Sequence, residues 1–257
     1  MTDKTSVPKT ILILGATSAV AVAFARQACK GSAPQLILAG RNEDRLNEIR
    51  TDLVARGASE TSSVIVGDLG DPANVAGLYA KIIDDAGVID DVLLAYGILG
   101  DQSAQQADME TLRSLIDVNL TSAAMWCEAV AATFEAQGHG RLAVIGSVAG
   151  DRGRQSNYLY GATKGALERL CEGMAHRFAG NKDITVTIVK PGFIDTPMTD
   201  HIEGKGGPLW ATPEKVASVI HRAMNKRRVR VYAPWIWRWI LLIIRALPIP
   251  LMHKTKM

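Results

Sequence analysis

The sequence has few cysteines and no recognisable export signal. Its 257 residues include three cysteines, Cys29, Cys127 and Cys171, which lie far apart. An odd, unclustered set gives no indication of a disulfide framework or a zinc site, so we expect buried thiols and no metal. The opening apolar run ends in glycine after a few residues, which is too short for a secretory signal. We therefore expect a cytoplasmic protein.

Acidic residues are absent from the last part of the chain. Ten lysines and arginines occur from Lys215 onward, and all 26 acidic residues precede them. The overall composition, 47% hydrophobic and 21% charged, is that of a globular protein with a sizeable core. An acidic body with a basic tail indicates an anionic surface as a partner, either a membrane or a nucleic acid.

Short apolar runs alternate with longer segments of helical periodicity. The runs, expected to be buried parallel strands, lie at 11–14, 36–39, 64–66, 91–96, 142–147 and 184–190. The expected helices lie at 18–30, 42–56, 72–86, 109–137 and 158–179, with another starting near Thr212. This alternation predicts an α/β fold with a doubly wound parallel sheet, a Rossmann fold, in one domain over residues 1–232. A glycine-rich stretch at 203–208 predicts a substrate lid near 196–211.

The first predicted strand leads into a turn and a helix. In a doubly wound fold this turn holds a dinucleotide pyrophosphate on backbone N–H groups, here within Gly15, Thr17, Ser18, Ala19 and Val20. An ordinary strand-to-helix turn is the alternative.

Arg41 follows the second strand, where an arginine pairs with the 2′-phosphate of NADP and an acidic residue accepts the ribose hydroxyl of NAD. It favours NADP(H), with NAD(H) possible. A solvated surface charge is the alternative.

Three residues after the fifth strand suggest proton transfer to a carbonyl group. Ser147 ends that strand, and Tyr160 and Lys164 follow at a spacing that puts them on one helical face. A nearby ammonium is expected to favour the phenolate of Tyr160, while the Ser147 hydroxyl can bind a carbonyl oxygen that gains negative charge. Tyr158 lies off that face.

With Asn119 preceding them, these residues resemble the short-chain dehydrogenases, over roughly residues 10–222. The resemblance implies that Asn119 kinks its helix and holds a water beside Lys164. Ala19 and Ala21 replace two glycines of the family's cofactor loop, and Tyr96 replaces an asparagine. The cofactor contacts that the resemblance implies are Asp68 with Leu69 at the adenine, Ala95, Tyr96 and Gly97 after the fourth strand, Tyr160 and Lys164, and Pro191, Gly192, Ile194 and Thr196 at the nicotinamide.

The tail, residues 233–257, is apolar but interrupted by Arg238 and Arg245. Two arginines argue against a spanning helix, whereas three tryptophans and flanking cations favour an amphipathic helix lying on a membrane. We therefore expect peripheral association with the inner membrane. A subunit interface in a homo-oligomer is the alternative, and the continuous apolar surface argues against nucleic acid.

Several stretches resemble a narrower group, reductases of polyprenylphosphoryl 2-keto-pentoses. They are GATSAVA, AYGILGD, GSVAGDRGRQSNYLYGATK, KPGFIDTPM and YAPW. This resemblance implies a lipid-linked keto-sugar substrate, supplied by a partner oxidase, with Arg152 and Arg154 near its phosphate. A reductase of small ketones or acyl chains, and a non-catalytic dinucleotide-sensing protein, are the alternatives.

Overall fold

The structure, a computed structural model, describes residues 8–200 and 205–255. Its nine strands are β1 (Thr10–Leu14), β2 (Gln35–Gly40), β3 (Ser63–Val66), β4 (Asp91–Leu94), β5 (Gly140–Ile145), β6 (Ile184–Pro191), β7 (Phe193–Ile194), β8 (Trp210–Ala211) and β9 (Arg230–Ala233). Its ten α-helices are α1 (Ala19–Ala28), α2 (Glu43–Ala55), α3 (Val75–Ala86), α4 (Gln102–Ala107), α5 (Met109–Ile116), α6 (Ser122–Gln137), α7 (Tyr158–Arg177), α8 (Pro213–Asn225), α9 (Trp237–Ala246) and α10 (Ile249–Met252).

Seven strands form one parallel sheet in the order β3-β2-β1-β4-β5-β6-β9. The apolar runs become strands because both faces of this sheet are covered: α3, α6 and α7 bury one face around Trp126 and Phe134. Helices α1, α2 and α8 bury the other face around Phe24. The predicted doubly wound fold is confirmed, as is the burial of all three cysteines. In this topology the β1–α1, β4–α4 and β5–α7 connections meet at the carboxyl edge of the sheet.

Several elements differ from the prediction, including the two-residue strands β7 and β8, which were not predicted. The edge strand β9 was not predicted, because its exposed position requires no apolar run. Helix α4 lacks apolar periodicity and is fixed by the Asp101 side chain, which accepts from the Ala104 N–H at 2.8 Å. The predicted helix 109–137 is interrupted by a π-helical turn over Asp117–Thr121, which divides it into α5 and α6.

The tail packs on the body instead of extending from it. Trp237 and Leu241 are buried with Val148 against the loop that follows β5. Trp237 therefore faces the protein, contrary to the expectation that it joins the membrane-facing surface. Among residues 8–200 and 205–255, no helix has the length and apolar character needed to cross a bilayer. Pairing of β7 with β8 fixes both ends of the predicted lid, of which residues 201–204 lie outside the described residues.

Candidate active site

The turn between β1 and α1 requires glycine at its first position. Gly15 has a φ of +88°, and a Cβ there would lie 2.8 Å from the Cβ of Tyr96. The Gly15 carbonyl accepts from the Ser18 N–H at 3.1 Å, which closes the turn. Helix α1 has no acidic residue in its first turn. Its positive end is thus available to an anion, and the turn fits a pyrophosphate.

The residues from Thr17 to Ala21, at the end of the turn and the start of α1, differ in how exposed their side chains are. The Thr17 side chain is exposed, and Ser18 and Ala19 are half-buried. Val20 and Ala21 are buried in the core beneath the helix. Val20 can therefore meet a ligand only through its backbone, and the Ala21 methyl group is accommodated by core packing.

Arg41 is exposed immediately after β2, and within the described ranges its side chain has no ion pair. Asp68, after β3, is also exposed, and its carboxylate accepts from the Gly70 N–H at 3.0 Å. Leu69 is buried, and its carbonyl accepts from the Trp126 indole at 3.0 Å. Arg41 and Asp68 thus stand at the carboxyl edge of neighbouring strands, whereas the Leu69 side chain belongs to the core.

Tyr96, which stands where the family has asparagine, directs its side chain into the interior. Its hydroxyl lies 2.9 Å from the Ser122 hydroxyl, and burial raises its pKa. Ala95 and Tyr96 form the surface against which Gly15 packs. The segment therefore supports the cofactor turn through its backbone.

Gly97 adjoins the two residues that the sequence links to a proton relay. A Cβ at Gly97 would lie 2.9 Å from the Asn119 side-chain oxygen and 3.2 Å from the Lys164 Nζ. The Asn119 amide accepts from the Ile98 N–H at 2.8 Å and donates to the Ile98 carbonyl at 2.7 Å. Asn119 lies in the π-helical turn, which matches the expected kink. The structure brings Asn119 and Lys164 together beneath the β4–α4 loop.

Ser147 and Tyr160 lie on the two segments that follow β5. The Ser147 hydroxyl accepts from the Ala149 N–H at 3.1 Å and caps a short 3₁₀ turn over Val148–Asp151. Tyr160 lies in the first turn of α7. Burial raises the pKa of Tyr160, and hydrogen bonding to Ser147 partly offsets the increase. Tyr158, by contrast, is exposed and bonds Gln106 at 2.9 Å.

Lys164 is buried one helical turn after Tyr160. Its Nζ donates to the Ile145 carbonyl at 3.4 Å and lies 5.8 Å from the centre of the Tyr160 ring. Burial lowers the pKa of Lys164 to about 8. The ammonium was expected to favour the phenolate of Tyr160, but burial raises the pKa of this phenol, and only the hydrogen bond with Ser147 opposes the increase. A phenol of raised pKa stays protonated at neutral pH and can act as an acid.

The two arginines predicted near a substrate phosphate have different surroundings. Arg152 donates to the Leu247 carbonyl at 3.2 Å and so holds the end of α9. Arg154 is half-buried, and burial lowers its pKa while the charge of Asp151 opposes that shift. Unlike Arg152, Arg154 is not hydrogen-bonded to the tail.

Residues after β6 are held by the tail. The Gly192 N–H donates to the Ala233 carbonyl at 3.0 Å, and the Trp237 indole lies against Gly192 and donates to the Leu209 carbonyl at 3.1 Å. Pro191 ends β6, Ile194 lies in β7, and the Thr196 hydroxyl donates to the Ile194 carbonyl at 3.5 Å. Helix α9 thus forms one wall of the region where the nicotinamide contacts are expected.

Sequence reasoning missed a buried ionic cluster under these segments. Lys190 forms ion pairs with Asp151 and Glu168, and the Tyr232 hydroxyl donates to Asp151 at 3.1 Å. The signal that could have indicated it is a lysine, Lys190, near the end of a strand in which seven of the eight residues are buried. In the part of the chain that is described, no group of three His, Cys, Asp or Glu side chains could hold a metal ion.

Known proteins similar to this chain agree in fold and family. A family model described as short chain dehydrogenase matches residues 9–205. An uncharacterized oxidoreductase of Mycobacterium tuberculosis is 33% identical over 239 residues, covering 93% of each chain. A solved structure described as a short chain dehydrogenase/reductase family protein has a TM-score of 0.75 at 27% identity, over 87% of this chain and 94% of the other. The actinorhodin polyketide ketoreductase with NADPH has a TM-score of 0.74 at 21% identity, over 84% and 90%, and shares the fold.

Proposed function

The chain belongs to the short-chain dehydrogenase family, and from that premise we propose that it reduces a ketone on a polyprenyl-phosphate-linked sugar. It is an NAD(P)H-dependent oxidoreductase acting on CH–OH and C=O groups. The observation that carries the proposal of ketone reduction is the convergence of Asn119, Ser147, Tyr160 and Lys164 at the carboxyl edge of β4 and β5.

The residues at the β1–α1 turn suit a dinucleotide. The backbone from Gly15 to Val20 would hold the pyrophosphate, Asp68 the adenine end, and Ala95 to Gly97 the centre of the cofactor. Exposed Arg41 favours NADP(H) over NAD(H), since its guanidinium can pair with a 2′-phosphate. When bound, the nicotinamide supplies the hydride that the carbonyl carbon accepts.

The chain's own residues handle the carbonyl oxygen. The Ser147 hydroxyl donates a hydrogen bond to this oxygen as negative charge develops on it, and Tyr160 gives it the phenolic proton. The Lys164 ammonium stabilises the phenolate that remains and returns a proton to it. Asn119, fixed by two bonds to Ile98, orients the relay beside Lys164.

We further propose that the substrate is a polyprenylphosphoryl 2-keto-pentofuranose and the product the arabinofuranosyl donor. The resemblance of several stretches to decaprenylphosphoryl-2-keto-β-D-erythro-pentose reductase supports this substrate, as does Arg154 in the loop after Ser147. An oxidase that makes the 2-keto sugar is the partner this reaction requires. The proposed setting is the cytoplasmic face of the inner membrane.

A reductase of small ketones, with the tail as a contact in a homo-oligomer, is the second candidate. Its specific support is Arg152, whose guanidinium bonds the Leu247 carbonyl and so is engaged with the tail.

The deciding experiment follows NADPH and NADH oxidation with a lipid-linked 2-keto-pentofuranose beside a panel of water-soluble ketones. The proposal expects turnover of the lipid-linked sugar that is lost in Tyr160→Phe. Turnover of the small ketones alone would contradict the lipid-linked substrate and support the second candidate. Cofactor binding without turnover of any ketone in the panel would contradict the proposal of ketone reduction.

A further inference from the structure

Helix α9 has two faces of opposite environment. Trp237 and Leu241 point into the protein, whereas Trp239, Leu242 and Ile243 point to solvent with exposed fractions of 53%, 57% and 65%. At 3.6 residues per turn, these three lie on the side of the helix opposite the buried pair. Trp235 before the helix and Ile249 and Leu251 after it are also exposed apolar side chains, at 70%, 63% and 51% exposure. We call these six residues the apolar face.

A cationic groove of about 1190 Å³ runs beside this face, between α8, β9 and α9. Its basic lining residues outside the buried ionic cluster are Lys215, Arg222, Lys226, Arg228, Arg238 and Arg245. None of the six has an ion pair within residues 8–200 and 205–255, and no acidic residue follows Glu214 in the sequence. Arg230, which also lines the groove, is paired with Glu168 at 3.0 Å. The groove therefore carries a concentrated positive charge that no ion pair among the described residues neutralises.

We propose that the apolar face and the cationic groove together dock the protein on an anionic phospholipid bilayer. The apolar side chains would enter the interface beneath the headgroups, and the groove cations would bind the lipid phosphates. Trp235 and Trp239 have the amphipathic rings that favour this depth. This proposal names the surface that would bind the membrane, and it rests on the proposed function for the reason why the protein would bind there.

Charge disfavours a second copy of the chain as the occupant. A two-fold contact would place the same patch of both subunits face to face and bring Arg238 and Arg245 of each against the other's cations. An anionic bilayer instead complements the groove along its length.

The orientation that follows places the active site close to the lipid. The buried face of α9 contacts Gly192, Phe193 and Val148, which border the region of Ser147. Because α9 itself forms the wall of that region, one helix diameter, about 10 Å, separates the exposed side of α9 from the side that faces the active site. A polyprenyl chain can stay in the bilayer while its sugar reaches Ser147 and Tyr160.

The test is flotation of the full chain with vesicles of phosphatidylcholine alone, and with vesicles in which roughly one third of the lipid is phosphatidylglycerol. We expect binding to the anionic vesicles that weakens as salt is added. The double variant Arg238→Gln with Arg245→Gln should bind about 30-fold more weakly. Leu242→Gln with Ile243→Gln should bind at least about tenfold more weakly, since apolar insertion is lost.

The matched control is Lys81→Gln with Arg113→Gln, which removes two exposed cations from α3 and α5 and should bind like the parent. Circular dichroism and an unchanged urea midpoint show that each variant is folded. If the parent chain does not float with anionic vesicles, the proposed docking surface is wrong, whichever substrate the protein reduces. A drop in oligomer mass in the α9 variants, measured by light scattering, also overturns it in favour of a subunit contact. Vesicle binding without turnover of the lipid-linked sugar supports the docking surface and counts against the proposed substrate alone.

Discussion

Lys190 forms an ion pair with Asp151 although both side chains are only 1% exposed. Glu168 on α7 binds the same ammonium. Asp151 ends the 3₁₀ turn that Ser147 caps, and Glu168 follows Lys164 by one helical turn, so the cluster fixes both catalytic segments to β6. A buried cation between two carboxylates is costly to remove, because Asp151 then stays desolvated with only the Tyr232 hydroxyl bonded to it, while Glu168 keeps Arg230 but loses one cation.

Lys190→Met should therefore lower the free energy of unfolding by about 3 to 5 kcal/mol. Urea denaturation followed by circular dichroism measures the change. Lys205→Met is the matched control, since Lys205 pairs with Asp195 and Asp200 at the surface and should cost about 1 kcal/mol or less. A loss in Lys190→Met no larger than in the control would show that the cluster does not stabilise the fold.

Tyr160→Phe should reduce kcat for ketone reduction by about 10²- to 10⁴-fold, because the carbonyl oxygen loses its acid. Cofactor affinity, measured by quenching of tryptophan fluorescence, should change little. Tyr158→Phe removes a surface hydroxyl that bonds only Gln106, and it should turn over like the parent. Equal losses in the two variants would contradict the assignment of Tyr160.

The rate of reduction should fall as the pH rises above about 8. The pKa of Lys164 is lowered to about 8 by burial, so its ammonium is lost above that pH. The raised pKa of Tyr160 keeps the phenol protonated there, so Tyr160 does not cause the decrease. The measurement is kcat against pH, which should decline about tenfold per unit above the pKa. The guanidinium of Lys164→Arg stays charged at all these pH values. This variant should be less active than the parent, and its activity should not decline above pH 8.

Arg41→Asp should shift cofactor preference towards NADH. The variant loses the guanidinium that can pair with a 2′-phosphate and gains a carboxylate that repels it, so kcat/KM with NADPH should fall at least about 30-fold. Arg45→Asp, one turn away on α2 and paired with Glu48 at 2.7 Å, should leave the ratio of the two cofactors unchanged. An unchanged ratio in Arg41→Asp would make Arg41 a solvated surface charge.

Much of the fold follows from the sequence because the sheet is buried on both faces. Short continuous apolar runs such as those of β1 and β2, alternating with helical segments, are typical of parallel strands between helical layers. The spacing of Tyr160 and Lys164 likewise fixed their common helical face. Strand β9 gave no such signal, because it is an edge strand of only four residues and begins with the exposed Arg230.

The contacts of the tail could not be predicted from periodicity. The apolar residues of α9 are nearly continuous, so their pattern does not distinguish the buried Trp237 from the exposed Trp239. The Lys190 cluster was equally hidden, because its members are distant in sequence and meet only through the crossover of α7 and β6. The raised pKa of Tyr160 depends on burial, which residue spacing does not reveal.

Gly192→Ala should disturb the active site through the tail. A Cβ at Gly192 would overlap the Trp237 indole, and overpacking of this kind costs about 1 to 3 kcal/mol. The indole also donates to the Leu209 carbonyl in the predicted lid. Moving α9 should therefore displace the lid and lower kcat/KM.

Adding Trp237→Leu to Gly192→Ala tests whether that contact is the cause. The smaller side chain makes room for the methyl group, so the double variant should lose less stability than the two single changes predict by addition. Gly173→Ala on α7 is the control, since a Cβ there meets open space and should stabilise the helix by about 0.5 to 1 kcal/mol. Strict additivity in the urea midpoints would mean that Gly192 and Trp237 act independently, and α9 would then not transmit the change to the site.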